Sequence, residues 1–411
     1  MEEESAIHKL VVERLHKWAS GGKAPPTKAT LIITDYCNLN CLFCRGAFRS
    51  KEPGFYKDEF TTEKWISVAK EGAQLGIKEW AITGGEPFMR TDTVAGIISV
   101  IKSEDPSSLI NLTTSGSFLT LEVANEIVKL GCNKIEVGID APNAKIHDFL
   151  RGREGSFETA TNSIKYLAYA KRKLGKQEPR IILKTVLNSK NYDKLPEMVV
   201  LANFLGADAI DVVPLRMYEE NLSLIEKNGL KMNDNQKDEM DGIWRKVEEA
   251  GKKHRIDVVK EFTPGTEDIS KIVNQNLEET PNINNLFFSF TPLLPLIQSV
   301  SSMIRDRRSK KETSDSINKF LSAFCFAPFY SLIIDPKGNV GPCSSIPPSE
   351  FENLPFLNLR ENTLEDIWYG QFFDFIRNLS IEGKHISKRC KSCGLVKERR
   401  SMLNDMKNFD R

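Results

Sequence analysis

The feature that most constrains the fold is a regular alternation of short β-branched, apolar runs with longer stretches of helical periodicity. Six candidate strands lie between residues 30 and 214, and several of the intervening helical stretches end at a glycine. The candidate strands are residues 30–34, 79–83, 109–114, 134–139, 180–187 and 209–214. This alternation predicts a parallel sheet with right-handed crossovers, either barrel-like or doubly wound. In both arrangements the ligand site forms at the carboxyl ends of the strands.

Three of the eight cysteines, Cys37, Cys41 and Cys44, come directly after the first candidate strand. Their C-x3-C-x2-C spacing supplies three ligands, whereas a closed structural zinc site requires four, and the nearest histidine, His16, precedes the strand. Three thiolates can instead hold three irons of a [4Fe-4S] cube and leave the fourth iron open. The triplet therefore indicates a reactive iron–sulfur site at the ligand-binding edge of the sheet.

Four further motifs follow the later strands in chain order. "GGEP" (84–87) follows the second strand, "TTSG" (113–116) ends the third, "GID" (138–140) ends the fourth, and "HDFLRGREGSF" (147–157) comes next. Together with the cysteine triplet, these motifs resemble the radical S-adenosylmethionine (radical SAM) superfamily. The resemblance implies a partial (β/α)6 TIM-like barrel of the α/β class.

The resemblance also implies which residues bind the cofactors. Cys37, Cys41 and Cys44 would ligate a [4Fe-4S] cluster whose open iron chelates SAM. The implied SAM contacts are Phe43 near the adenine, Gly84, Gly85 and Glu86 at the amino group, Arg151 at the carboxylate, and Thr114, Ser115, Gly138 and Asp140. A glycine pair lets backbone approach a zwitterionic ligand closely, and a carboxylate accepts hydrogen bonds from its ammonium.

The implied chemistry begins with an electron from an external one-electron donor, a flavodoxin or ferredoxin. SAM is then cleaved to methionine and a 5′-deoxyadenosyl radical, which abstracts hydrogen from an unactivated C–H.

A second cysteine set comprises Cys325, Cys343, Cys390 and Cys393. Four thiolates can close around zinc or around a complete [4Fe-4S] cluster. The surrounding sequence resembles the twitch variant of the SPASM domain, which carries one auxiliary cluster. The matching stretches are "CFAPFYSLIIDPKGNVGPC", "NLRENTLEDIWYGQFFDFIRN" and "CKSC". A turn between Asp335 and Gly338 predicts a hairpin that carries the second ligand. The sequence lacks the glycine that usually precedes "NL". It also has no cysteine after Cys393, which disfavours a two-cluster SPASM domain.

The chain is predicted to divide into four segments. Residues 1–29 form a helical extension, 30–232 the partial barrel, 233–322 a helical and irregular insert that can serve as a lid, and 323–411 a small twitch/SPASM-like domain. The insert contains an apolar run, but prolines and polar residues break it below the roughly 20 residues that a membrane helix needs. No stable membrane span is therefore expected.

Charge and targeting signals bear on partners and location. The 57 basic and 56 acidic side chains leave a net charge of +1, which predicts no nucleic-acid partner. The N-terminus lacks the pattern of a signal peptide, so a cytoplasmic location is predicted, where disulfides rarely persist.

The main functional prediction is a two-electron dehydrogenation of a small polar substrate, a sugar- or cyclitol-type alcohol. A fully ligated auxiliary cluster suits this reaction because it can accept an electron from the substrate radical. A base near the carbinol would assist, and the candidates at strand ends are Lys184, Arg216, Tyr218 and Glu219.

Two alternatives remain open. One is a radical SAM peptide or protein maturase that forms thioether or carbon–carbon bonds or epimerises residues. The 29 residues before the first strand are expected to be too few for a leader-recognition domain, which weighs against this alternative. The other is a binding protein stabilised by zinc at the second cysteine set.

Overall fold

A computed structural model describes residues 2–46, 58–260, 325–344, 346, 357–385, 387 and 390. The chain divides into two compact units. The first, called the sheet unit, falls within Leu31–Ala73 and Trp80–Pro264. The second, called the terminal unit, falls within Met1–Thr30, Gln74–Glu79 and Gly265–Arg411, so it combines both ends of the chain.

The sheet unit is built on an open sheet with the strand order β7-β6-β5-β4-β3-β2-β1. Strands β3 to β7 pair in parallel. The strands are β1 (Lys28–Ile32), β2 (Glu79–Thr83), β3 (Leu109–Thr114), β4 (Lys134–Gly138), β5 (Arg180–Leu187), β6 (Ala209–Pro214) and β7 (Asp257–Lys260). All six predicted strands form, and the open parallel sheet confirms the predicted fold class.

Strand β7 is an addition that the sequence pattern does not predict. It is four residues long, and its side chains alternate between exposed and half-buried positions. A short strand at the sheet edge buries too little apolar surface to leave a clear periodic signal. Its register is instead set by pairing with β6, where Ala209 lies opposite Asp257.

Helices alternate with these strands, as the sequence predicts. They are α2 (Thr62–Leu75), α3 (Thr91–Glu104), α4 (Leu121–Leu130), α5 (Ala144–Arg151), α6 (Ser156–Leu174), α7 (Leu195–Leu205), α8 (Glu219–Lys227) and α9 (Asp234–His254). Gly131, Gly175 and Gly206 end their helices in the left-handed conformation, in which a glycine carries no steric penalty. Asn233 caps α9 by accepting from the Gln236 backbone N–H at 2.9 Å.

The two faces of the sheet differ in character. Every second side chain along a strand points to the same face, and on one face these side chains are apolar and fully buried, as Ile135 and Val137 are on β4. The other face carries polar groups, which contact one another across neighbouring strands. Lys184 Nζ lies 2.9 Å from Glu136 Oε2 and 3.2 Å from Asp211 Oδ2. The sheet therefore has a predominantly apolar face and a charged network on the opposite face.

The terminal unit contains the N-terminal helix together with the elements around the second cysteine set. Its elements are α1 (Glu2–Ala19), α10 (Ala327–Tyr330), β8 (Ser331–Ile334), β9 (Val340–Gly341), α11 (Leu364–Trp368) and α12 (Gln371–Ile381). Val11 and Leu15 of α1 are buried in one cluster with Phe326 and Phe329. Residues 1–29, predicted as a separate extension, therefore share a core with the C-terminal part of the chain.

A buried cation supports this core. The Arg377 guanidinium lies 4.4 Å from the ring centroids of both Trp18 and Trp368, and its Nε donates to Pro328 O at 3.0 Å. Burial lowers the pKa of Arg377 to about 10, against the opposing effect of Asp374. The aromatic rings and the carbonyl oxygen thus stabilise a charge that burial disfavours.

The predicted domain boundary at residue 233 does not coincide with a boundary between the two units. Helix α9 and strand β7 belong to the sheet unit rather than to an insert that begins at residue 233. Residues 261–322, which contain the predicted lid, lie outside the described residues, so the lid stays a prediction. Within the described ranges, no helix has both the length and the apolar character that a membrane span requires.

Candidate active site

The first cysteine set lies on the loop that follows β1, and the end of α5 shapes that loop. Asn40 N donates to Arg151 O at 3.0 Å, and Leu42 N donates to Leu150 O at 2.9 Å. Gly152 ends α5 at φ +62°, where an added Cβ would overlap the Asn40 carbonyl oxygen. A glycine at this position therefore allows the close approach that holds the middle of the cysteine loop.

The three sulfurs differ in exposure, and each accepts an N–H hydrogen bond. Cys41 is buried, Cys37 is half-buried and Cys44 is exposed. Leu39 N lies 3.5 Å from Cys37 Sγ, Gly46 N lies 3.3 Å from Cys44 Sγ, and Arg151 Nη1 lies 3.9 Å from Cys41 Sγ. The donors to Cys37 and Cys41 favour the thiolate form of these two residues.

Burial has the opposite effect on two of these thiols. It raises the pKa of Cys37 to about 11 and that of Cys41 to about 12, although the Arg151 guanidinium acts to lower both. Buried thiols of this kind become thiolates when a bound metal supplies the compensating charge. The donor chemistry of the loop therefore fits a resident metal group.

The three thiols lie on one short loop and are close enough to influence one another electrostatically. A [4Fe-4S] cube takes one thiolate per iron, so three thiols on one loop can hold three of its irons.

The "GGEP" turn after β2 packs against the segment that leads into the cysteine loop. Gly85 N donates to Thr34 O at 2.7 Å, and Glu86 N donates to Tyr36 O at 2.8 Å. An added Cβ on Gly84 would overlap Thr34 O, and one on Gly85 would overlap Tyr36 O. The sequence argument assigns this glycine pair to a ligand, whereas the structure shows a close approach to the chain's own backbone.

Glu86 is fully buried and joins the ends of β2 and β3. Its Oε1 accepts from Thr114 Oγ1 at 2.6 Å and from Phe88 N at 3.0 Å. Its Oε2 accepts from the backbone N–H of Ser115 at 2.7 Å and from the Ser115 hydroxyl. The structure thus brings the predicted residues Glu86, Thr114 and Ser115 together, with the carboxylate as the centre of four hydrogen bonds.

The other predicted SAM residues surround Arg151. Arg151 Nε lies 2.7 Å from Asp140 Oδ2, and its guanidinium lies 5.6 Å from the centroid of the Phe43 ring. A Cβ on Gly138 would overlap this guanidinium. Burial raises the pKa of Asp140, and the guanidinium opposes that shift. Arg151 therefore connects the end of β4 to the cysteine loop.

The predicted catalytic residues are less well supported. Lys184 is held between Glu136 and Asp211, and an ammonium that contacts two carboxylates is a poor candidate for a base. Burial acts to raise the pKa of Glu136, but the ammonium groups of Lys184 and Lys134 outweigh it and leave that pKa lowered. The geometry thus favours Lys184 as a fixed positive charge.

Arg216 and Tyr218 lie in the turn after β6, and Glu219 is the first residue of α8. Arg216 is exposed, while the Tyr218 ring lies 5.2 Å from the Arg45 guanidinium, next to the third cysteine. The structure therefore brings Tyr218 to the cysteine loop.

Asn221 is a site residue that the sequence analysis misses. It is almost fully buried, and its Nδ2 donates to Phe43 O at 2.8 Å and to Arg216 O at 3.1 Å. Its Oδ1 accepts from Tyr218 N at 2.8 Å. In the sequence, an asparagine in the first turn of a helix indicates only local capping. Its long-range bond joins the loop after β6 to the loop that carries the cysteines.

The second cysteine set lies in the terminal unit. Asp335 Oδ1 accepts from the backbone N–H of Lys337 at 3.0 Å and of Asn339 at 2.9 Å, and Gly338 has a φ of +89°. The predicted hairpin forms between β8 and β9 and places Cys343 two residues beyond β9. Cys325 and Cys390 are half-buried, and Cys393 lies outside the described residues.

Ser380 on α12 is a second residue that the sequence analysis misses. Its hydroxyl accepts from Cys325 N at 3.0 Å and donates to Cys325 O. Ala327 N also lies 3.4 Å from Cys325 Sγ. A fully buried serine thus holds the backbone of a predicted cluster ligand on both sides.

Comparison with known protein families agrees with this division into two cysteine sites. A family model described as the radical SAM superfamily matches residues 31–179. A second, described as the SPASM iron–sulfur cluster-binding domain, matches residues 325–394. The chain therefore carries a radical SAM domain, which implies a [4Fe-4S] cluster and SAM as cofactors, and a SPASM auxiliary iron–sulfur domain, as predicted.

Three curated proteins illustrate the relatives of this radical SAM protein. The AdoMet-dependent heme synthase of Methanosarcina barkeri is 31% identical over 181 residues, 44% of this chain and 48% of the relative. The sporulation killing factor maturation protein SkfB of Bacillus subtilis is 29% identical over 199 residues, 48% of this chain and 45% of the relative. The PqqA peptide cyclase of Rhizobium meliloti is 24% identical over 353 residues, 84% of this chain and 74% of the relative. The chain spans about half the length of the first two.

Solved structures show the same fold. Streptococcus suis SuiB bound to S-adenosylmethionine superposes with a TM-score of 0.58 at 16% identity, covering 91% of this chain and 72% of SuiB. Native anSMEcpe with bound AdoMet superposes with a TM-score of 0.52 at 12% identity, covering 93% of this chain and 100% of that protein. These similarities confirm the radical SAM fold.

Proposed function

We propose that this radical SAM protein is an enzyme that modifies a peptide or protein substrate. The observation that carries the proposal is the extent of the match to PqqA peptide cyclase, which covers 84% of this chain. That match is far longer than the radical SAM domain at residues 31–179. SkfB, described as a maturation protein, supports the same substrate class.

The predicted sugar or cyclitol dehydrogenation receives no support from these relatives. The heme synthase match covers 44% of this chain, which a shared catalytic domain is sufficient to explain. The proposal therefore adopts the maturase alternative, which the sequence argument disfavoured on the length of the N-terminal segment.

The proposed reaction retains an oxidative step. Joining a C–H carbon to an X–H group removes two hydrogens, so it is a two-electron oxidation. The reduced cluster and SAM together supply a 5′-deoxyadenosyl radical, which takes the first hydrogen as an atom. The second leaves as a proton and an electron, and an auxiliary cluster held by the second cysteine set would accept that electron, as predicted. A flavodoxin or ferredoxin as the external donor and a cytoplasmic location are part of the same proposal.

The residues of the sheet unit have distinct roles in this proposal. Cys37, Cys41 and Cys44 hold three irons, and Phe43, the "GGEP" turn, Ser115 and Arg151 bind SAM. The charged network of Glu136, Lys184 and Asp211 lies on the polar face of the sheet. Its proposed role is to orient polar groups of the substrate. Its ion pairs fix the side chains in advance, which reduces the entropic cost of binding.

A deuterium-transfer experiment tests the substrate class. An extract of the source organism grown in deuterated medium is separated into peptide and small-molecule fractions. Each fraction is incubated anaerobically with the reconstituted protein, SAM and dithionite. We expect mass spectrometry to find deuterium in 5′-deoxyadenosine with the peptide fraction. Transfer only from the small-molecule fraction, with authentic sugars, cyclitols or tetrapyrroles reproducing it, would contradict the proposal.

A further inference from the structure

The donors to the three cluster cysteines are of two kinds. Cys37 and Cys44 each accept from a backbone N–H two residues further along the chain. Cys41, the most buried of the three, faces the guanidinium of Arg151, with Nη1 3.9 Å from the sulfur. The Cys41 contact therefore brings a full positive charge to the cluster ligand, and it comes from a side chain that substitution can change.

The position of this charge is fixed from several directions. Arg151 O accepts from Asn40 N at 3.0 Å, so the backbone of the arginine is bound to the cysteine loop itself. Its Nε pairs with Asp140, and Asp140 is held in turn because its Oδ1 accepts from Val186 N at 2.9 Å. The absence of a side chain at Gly138 leaves the space that the guanidinium occupies.

We propose that the Asp140–Arg151 pair sets the reduction potential of the SAM-binding cluster, with Arg151 raising it and Asp140 lowering it. Reduction adds one electron from the external donor to the cluster, and no proton need move. A nearby cation stabilises the more negative, reduced form, and a nearby carboxylate destabilises it. Hydrogen bonds to the ligand sulfurs act in the same direction as the cation. The inference rests on ligation by Cys37, Cys41 and Cys44 and is independent of the substrate.

Three variants of the full-length, reconstituted protein separate this role from a general effect of charge. R151Q removes the cation and D140N removes the carboxylate, so their effects on the potential have opposite signs. R153Q is the matched control, because Arg153 is a neighbouring exposed cation whose Nη1 donates to Asn38 O at 2.9 Å rather than to a thiol.

The measurement is a redox titration followed by electron paramagnetic resonance in the absence of SAM. A parallel sample with SAM identifies the relevant signal as the one that SAM changes. We expect R151Q to lower the equilibrium constant for one-electron reduction about tenfold, which corresponds to about 59 mV. D140N is expected to raise the potential, and R153Q to leave it unchanged. An unchanged potential in R151Q, or shifts of the same sign in R151Q and D140N, would overturn the inference.

Two further measurements keep the test decisive. Iron and sulfide counts show first whether each variant holds its clusters. If R151Q does not, because Asp140 is then a buried charge without its partner, the comparison uses D140N and D140N/R151Q. The double variant is expected to have the lower potential of the two. A variant that keeps its potential while losing affinity for SAM would limit Arg151 to SAM binding and refute the tuning role.

Discussion

Cys37, Cys41 and Cys44 lie within eight consecutive positions of one loop, whereas Cys325, Cys343 and Cys390 come from three separated segments of the terminal unit. The loop is held by backbone bonds to Leu150 and Arg151 at the end of α5. The dispersed set depends on a hairpin for Cys343 and on a side chain of α12 for Cys325. A compact set thus needs one well-placed neighbour, while a dispersed set needs the whole unit to fold.

The largest expected effect separates the two sets outright. The triple variant C37A/C41A/C44A is expected to lose SAM cleavage completely, because the cluster whose open iron chelates SAM is lost with its three cysteine ligands. It should retain the iron and sulfide of the auxiliary site. Formation of 5′-deoxyadenosine with dithionite, measured by chromatography, is the assay, and its persistence in the triple variant would refute the ligand assignment. C325A/C343A is the matched variant, and it should keep the cleavage activity.

The second prediction concerns the support of the compact loop. G85A is expected to reduce the free energy of unfolding by about 3 kcal/mol, at the upper end for overpacking, because its Cβ would overlap the Tyr36 carbonyl oxygen. G242A is the control, since an added Cβ there has no heavy atom within 4 Å and lies inside α9. The control should be neutral or stabilising by about 0.5–1 kcal/mol. Urea denaturation measures both, and equal effects would contradict the close-packing argument.

The third prediction tests the dispersed set. S380A is expected to cost about 2 kcal/mol, because it leaves the partly buried N–H and C=O of Cys325 without the hydroxyl that now serves both. Auxiliary iron should be lost faster to a chelator, while the SAM-binding cluster is unaffected. S331A removes one hydrogen bond, to Ala327 O, and does not touch Cys325. If S331A releases auxiliary iron as fast as S380A, the positioning role of Ser380 is wrong.

The smallest effect is expected at the hairpin. Burial raises the pKa of Asp335, against the opposing hydrogen bonds from Asn339, so the folded state favours the protonated acid. The wild-type protein should therefore gain stability as the pH falls through this raised value toward the ordinary one. D335N does not titrate and keeps an acceptor for the turn, so it should differ from wild type by under about 1 kcal/mol. The stability of D335N relative to wild type should be greatest at pH 7 and should be smaller at pH 4.5. A difference that grows as the pH falls would contradict the assigned direction.

Much of the candidate site was predictable from residues that act locally or through a recognisable spacing. The cysteine triplet, the "GGEP" turn and the residues after β3 and β4 follow successive strands, and parallel strands bring their carboxyl ends to one edge. The Asp335–Gly338 hairpin follows from turn chemistry within five residues. The matches to the radical SAM and SPASM families cover both regions.

The features that the sequence analysis did not predict share a different cause. Asn221 and Ser380 act on Phe43 and Cys325, partners that lie far away in the chain. Strand β7 owes its register to pairing with β6 rather than to its own pattern. Lys184 reads as a candidate base until its two carboxylate partners are located. Each of these depends on which groups folding brings together.

Periodicity, helix caps and turn residues are enough to specify the strands, the helices and the order of the motifs, because burial and capping act over a few neighbouring residues. Tertiary structure decided that α1 shares a core with Phe326 and Phe329, that Gly84 and Gly85 accommodate the chain's own backbone, and that Arg151 faces Cys41. These contacts join residues from 49 to more than 300 positions apart. Their energies depend on distance and burial in the folded chain, which no local pattern encodes.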